Sequence, residues 1–188
     1  MDKNVKTRVM IPGRLSFVHL FKPHAAIAGQ EEKYSTTILI PKSDNVTKNR
    51  IDAAINEATV LGVSEKWNGV IPPVIPNPVW DGDGVKQDGT EFGPECKGHW
   101  VLTASAKKDY PPQVVDKRVQ PITDHTEVYS GMYANVTVNF FPYVFAGKKG
   151  IGAGLGNVQK LRDGESLAGG RSASQDFNVI EDDEDAAW

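Results

Sequence analysis

Lysines and arginines stand in three acid-poor stretches, each with aromatic residues among or beside it. Residues 3–22 hold Lys3, Lys6, Arg8, Arg14 and Lys22 and no acid. Residues 97–118 hold Lys97, Lys107, Lys108, Lys117 and Arg118 against Asp109 and Asp116. Residues 146–162 hold Lys148, Lys149, Lys160 and Arg162 and no acid. The neighbouring rings are Phe17, Trp100, Tyr110, Tyr143 and Phe145. Spaced cations suit a chain of phosphates, and flat rings stack on bases for ~1–3 kcal/mol each, which is how single strands are held. The residues expected to line such a groove are Arg14, Lys107, Lys108, Tyr110, Lys117, Arg118, Tyr143, Phe145, Lys148, Lys149 and Lys160. Trp100, Phe140 and Phe141 are expected in the core. For any single residue the competing reading is an ordinary surface lysine or core aromatic.

The last residues, "DFNVIEDDEDAAW", invert that chemistry. They carry six of the chain's 24 acids and none of its 21 bases. Net charge is −3 for the whole chain and +3 without residues 176–188. Glu181, Asp182, Asp183, Glu184, Asp185 and Trp188 offer repeated negative charge and a flat ring, an imitation of a single strand. Residues 164–175, "GESLAGGRSASQ", read as a flexible linker. Such a linker has an r.m.s. reach of ~19 Å, so the tail would face the groove at an effective concentration of order millimolar. A disordered solubilising tail is the plainer reading of the same composition.

Other chemistries fail on spacing. "GIGAGLG" lacks the dinucleotide fingerprint, because Leu155 and Asn157 stand where G-x-G-x-x-G needs glycine, and no helical pattern follows. "DGDGVKQDG" puts Val85 and Lys86 where a calcium loop needs a ligand and a glycine. Cys96 and His99 have no second pair at zinc spacing. No catalytic constellation, metal site or cofactor motif emerges, and the chain is expected not to be an enzyme. One cysteine excludes a disulfide framework and suits a reducing cytoplasm. No apolar run is long enough to span a bilayer, and "MDKNVKTRVMIPG" lacks the apolar core of a secretory leader.

These residues must be carried by a mostly β scaffold. "RVMIPGRLSFVHLF" and "EKYSTTILIPK" read as strands, with "GHWVLTASAKK" later and, more weakly, "PQVVD" and "TEVY". "GMYANVTVNFFPYVFA" alternates apolar and polar, and "IGAGLGNVQKLRDG" reads as its glycine-rich partner across "GKKG". One helix is predicted, opening at Ser43–Asn45 and ending at Gly62, with Ile51, Ala54, Ile55, Ala58 and Leu61 on its apolar face. Residues 70–98 read as an extended segment and a long loop. Strands dominate, so the expected fold is an OB-fold-like Greek-key barrel with one capping helix and a disordered acidic tail. The expected units are a binding domain (1–163), a linker (164–175) and the tail (176–188).

"ILIPK" before the capped helix, the long "GMYANVTVNFFPYVF" strand, the "GKKGIGAGLGNVQKLRDGE" hairpin and the aromatic-closed acidic tail occur in one order. In this the chain resembles the bacteriophage replicative single-stranded DNA-binding proteins of OB fold. The resemblance implies an OB barrel that coats single-stranded DNA during phage replication or recombination in the host cytoplasm. It also implies a tail that contacts replication proteins such as the polymerase or helicase. It transfers no individual binding residues, and a homo-oligomer stays open. The alternative is an all-β structural or assembly protein of a virion.

Overall fold

The computed structural model describes residues 4–168. A short helix, α1 (Asn4–Thr7), leads into β1 (Arg8–His24). There follow β2 (Lys33–Pro41), α2 (Asn45–Glu65), β3 (Val79–Asp81), β4 (His99–Lys107), β5 (Val114–Val115), β6 (Tyr133–Phe145) and β7 (Lys148–Arg162). Their order in the sheet is β3-β4-β2-β1-β6-β7-β5, and β4 also meets β7 in parallel at Ser105 and Gly154. That contact closes β1, β2, β4, β7 and β6 into a five-stranded barrel whose other pairings are antiparallel. The barrel is an OB fold, as the strand-rich pattern implied.

Alternation along each strand sorts side chains between core and surface. Ile38, Ile40, Leu102, Ala104, Ala134, Val136, Val138 and Phe140 fill the interior. The residues that alternate with the interior row, Ser35, Thr37, Thr103, Ser105, Asn135 and Thr137, belong to the opposite, outer face. β-branched and aromatic residues suit these pleated, half-buried surfaces.

Asp44 starts α2 by accepting from the Thr47 backbone N–H at 3.1 Å and from the Thr47 hydroxyl at 2.6 Å. These two bonds hold the Asp44 carboxyl below its ordinary range. Ile51, Ala54 and Ala58 bury the face of the helix that packs on β6. The helix does not stop at Gly62 as expected but runs to Glu65. Gly62 is there to make room. The fully buried Trp67 lies against it, and a Cβ at position 62 would meet the Trp67 ring at 2.6 Å. Trp67 Nε1 donates to the Tyr143 carbonyl at 3.3 Å, tying the end of α2 to the far part of β6.

Three local expectations are corrected. β3 lies within the segment read as loop and pairs with β4 from Val79 to Asp81. His125–Glu127 forms a 3₁₀ turn where "TEVY" suggested a strand, because Asp124 caps the Thr126 N–H. Phe141 points to the outer face and is 42% exposed, whereas Phe140 is in the core.

Gly62→Ala sets two effects against each other. Alanine gains ~1 kcal/mol of helix propensity over glycine, but overpacking against a full core costs ~1–3 kcal/mol. The clash with Trp67 should win, so Gly62→Ala lowers the unfolding free energy in a urea titration. An increase in stability would show that Trp67 moves aside freely.

Candidate nucleic-acid interface

The outer face of β2 and β4 is built from ladder partners of matching character. Lys33 faces Lys107, Ser35 faces Ser105, and Thr37 faces Thr103 with their hydroxyl oxygens 2.9 Å apart. Cations at one end and the hydroxyls of Ser35, Ser105 and Thr103 beyond them make a strip that can contact phosphates and sugars, while Thr37 is buried. An open groove runs along it, lined by His24, Ala26, Gln30, Glu31, Lys33, Ser35, Ser105 and Phe145. One wall is the loop between β1 and β2, and the other is the β6–β7 hairpin. These loops and this face are where OB folds hold oligonucleotides.

The hairpin turn is Ala146–Gly147, both at positive φ (48° and 76°), as a tight two-residue turn demands. It presents Phe145, 76% exposed, opposite its ladder partner Lys148. Lys148 and Lys149 line a separate depression with Pro72, Val74 and Pro76, next in sequence to the groove residue Phe145 across the turn. Lys107, Lys108 and Tyr110 share the turn after β4, where the Tyr110 N–H donates to the Lys107 carbonyl at 2.9 Å. Lys108 reaches Glu32 in the β1–β2 loop only at 3.8 Å, both side chains being exposed. Such a pair is worth ~0–1 kcal/mol and leaves the lysine available to an anion. Seven sequence-derived residues thus gather at one end of the barrel: Lys107, Lys108, Tyr110, Tyr143, Phe145, Lys148 and Lys149.

The other four lie elsewhere. Arg14 donates to the Gly131 carbonyl at 3.1 Å and to the Glu165 carbonyl at 2.6 Å. It holds the start of the expected linker against the barrel. Leu167 completes that strap, packing on the cluster of Leu39, Cys96 and Val101 while its N–H donates to the Ser130 carbonyl. Lys160 is 11% exposed and already satisfied. Its Nζ donates to the Glu127 carbonyl and pairs with Asp163, both at 2.7 Å. The bonds from Lys160 and Tyr129 keep the Asp163 carboxyl below its ordinary range. Lys117 and Arg118 sit beside Arg162 in a separate depression that also contains Asp116, Glu127 and Asp163. Arg162 stacks on the Tyr133 ring, its guanidinium carbon 3.7 Å from the centroid.

The structure adds residues that the sequence-derived set lacks. Lys33 heads the outer face of β2, and alternation in "KYSTTILIP" was the signal for it. His24 stacks on His19 at the groove edge with ring centroids 4.1 Å apart. Burial, and then the neighbouring His24, lowers the His19 pKa. Phe17 stands exposed in a β1 bulge at a φ of 48°, which periodicity could not reveal. Cys96 is buried, and that burial raises its thiol pKa. Among the described residues no group of three or more His, Cys, Asp or Glu is placed to hold a metal ion. Nor is any described helix long and apolar enough to cross a membrane. Glu181–Asp185 and Trp188 lie outside the described residues.

An OB barrel whose open face combines lysines, hydroxyls and exposed rings defines the class of single-strand binding modules. Residues 4–187 match the family model described as Enterobacter phage Enc34, ssDNA-binding protein. The chain belongs to that family, a family of DNA-binding proteins and not of enzymes. A relative, putative protein p50 of Acyrthosiphon pisum secondary endosymbiont phage 1, is 34% identical over 186 residues, covering 91% of this chain and 94% of the relative. The single-stranded DNA-binding protein of bacteriophage Enc34, solved in complex with ssDNA, superposes with a TM-score of 0.71 at 27% identity, over 86% of this chain and 90% of that one. Gp2.5, the single-stranded DNA-binding protein of bacteriophage T7, shares the fold, with a TM-score of 0.57 at 15% identity, over 87% of this chain and 96% of that one. The family to which the sequence pointed is the family found.

Proposed function

We propose that this chain binds single-stranded DNA without sequence specificity, coating it during phage replication or recombination in the host cytoplasm. The observation that carries this is the groove on the outer β2–β4 face. Lys33 and its ladder partner Lys107 stand at its end, Ser35 and Ser105 along its floor and the exposed Phe145 on its hairpin wall, in a chain whose family takes its name from ssDNA binding. Phosphate contact and stacking need no base-edge recognition, so binding tolerates any sequence.

Residues 176–188 act as a competitor for the same groove. The strap supports this reading. Leu167 packs on Leu39 and Val101, and Ser35 and Ser105 lie four ladder steps further along. That is ~13 Å at strand rise, inside the ~16 Å reach of the eight linker residues that follow Leu167. The remaining chain therefore departs from the foot of the binding face. A tail displaced by DNA becomes free for replication proteins such as a polymerase or helicase, which Trp188 and the acids would engage.

The test of the function is affinity for an oligothymidylate as a function of salt. Log affinity should fall linearly with log salt, by ~0.7 per phosphate neutralised. Lys148→Glu with Lys149→Glu should weaken binding and flatten that slope by ~0.7 for each phosphate no longer neutralised. An unchanged slope would place the hairpin turn away from the strand, and salt-independent or absent binding would end the proposal.

The tail has its own test. Deleting residues 176–188 should raise affinity for single strands, most clearly at low salt, where attraction is least screened. Trp188→Ala should give part of that gain with all six acids kept, because a stacked ring contributes ~1–3 kcal/mol. Equal affinity for the three proteins at low salt would leave residues 176–188 as a solubilising segment.

A further inference from the structure

The glycines of "GIGAGLG", which serve no nucleotide fingerprint, have a different task. Gly150, Gly152, Gly154 and Gly156 occupy alternate positions of β7, while Ile151 and Leu155 between them are buried. The strand therefore turns a row without side chains to its outer face. β6 lays rings over that row. A Cβ at Gly152 would fall against Phe141, with Cζ, Cε1 and Cε2 all within 3.0 Å. A Cβ at Gly150 would fall against Tyr143, with Oη, Cζ and Cε1 all within 3.0 Å. The nearest atoms are the tip of the Phe141 ring at Gly152 and the hydroxyl end of Tyr143 at Gly150, so the outer end of each aromatic side chain covers its glycine. At Gly154 the Phe141 ring still approaches to 3.6 Å. Phe141 and Tyr143 remain 42% and 37% exposed, so both side chains keep surface that a ligand can reach.

We propose that Phe141 and Tyr143, floored by Gly150 and Gly152, form a base-stacking platform that extends the groove. The inference rests on the single-strand reading of that groove. Position supports it: Gly154 is the ladder partner of Ser105, a groove residue, and Phe145 on the same face of β6 lines the groove wall. Spacing supports it too. Alternate residues of an antiparallel strand recur every ~6.8 Å, twice the ~3.4 Å that one strand advances per nucleotide in B-form DNA. A stretched strand thus offers one base to each of Phe141, Tyr143 and Phe145. Any side chain at position 150 or 152 would lift a ring off its floor. The glycines are positioning residues for the rings, which are the groups in contact with DNA.

Two ligands separate stacking from charge: an oligothymidylate of about twelve nucleotides, long enough to span one OB fold, and an abasic phosphodiester strand of the same length. For the full chain, Phe141→Leu and Tyr143→Leu should each weaken oligothymidylate binding by about five- to a hundredfold, the range of one missing stack. They should leave abasic-strand binding within about twofold, because phosphate contacts are untouched. Gly152→Ala should act in the same direction as Phe141→Leu, with the ring still present but displaced. Ultraviolet cross-linking of oligothymidylate to the unmutated protein should label residues 141–145, a readout that needs no variant. Variants that weaken both strands equally, or neither, or cross-links confined to other segments, overturn the platform while leaving the groove. If the unmutated protein binds neither strand, the groove reading fails and the platform with it.

Discussion

Everything on the binding surface depends on the place where β4 meets β7. Without the parallel contact of Ser105 with Gly154, the sheet would run from the short edge strand β3 to the short edge strand β5, and the five strands would not close. With it, the hydroxyl strip of β2 and β4 runs directly onto the glycine row of β7. Glycine suits that junction. It brings two backbones together with no side chain between them, and it leaves the outer surface flat where β6 lays its rings. Closure and the continuity of the face are thus one constraint seen from inside and from outside the barrel.

Charge is distributed around that surface by cost. Lys33, Lys107, Lys108, Lys148 and Lys149 are partly or fully solvated, and the approach of Lys108 to Glu32 is long and exposed. Their charge stays available to a polyanion. Lys160 and Arg14 are committed instead to carbonyls and carboxylates that hold the foot of the barrel and the strap. A hydrogen bond to a charged group is worth ~1.5–3 kcal/mol, so releasing either cation to a phosphate would cost much of what it gained. The barrel therefore has an end of solvated cations and an end of committed ones.

Period and composition revealed most of the scaffold. The alternation of Tyr133–Phe140 and the Asp44 cap are local patterns, and both appear where they were expected. Most of what stayed hidden depends on partners distant in sequence. Gly62 looks like a helix terminator until Trp67 is seen to occupy the place of its missing Cβ. Phe140 and Phe141 are chemically alike, and the alternation that puts Asn135, Thr137 and Asn139 outside puts Phe141 with them, a local signal that the apolar character of the ring masked. Lys107 and Lys160 stand in equally basic stretches, yet Glu127 and Asp163 close around one alone. The glycine row was visible as a motif. Its meaning was not, because the rings it supports come from the strand before it.

The path of the single strand across the barrel is the central claim, and a crystal structure of the full chain with a bound oligothymidylate tests it most directly. The predicted result has phosphates at Lys33 and Lys107 and the strand running past Ser35 and Ser105 to the β6–β7 hairpin. A strand seated instead in the depression of Lys117, Arg118 and Arg162, with the β2–β4 face bare, would contradict it.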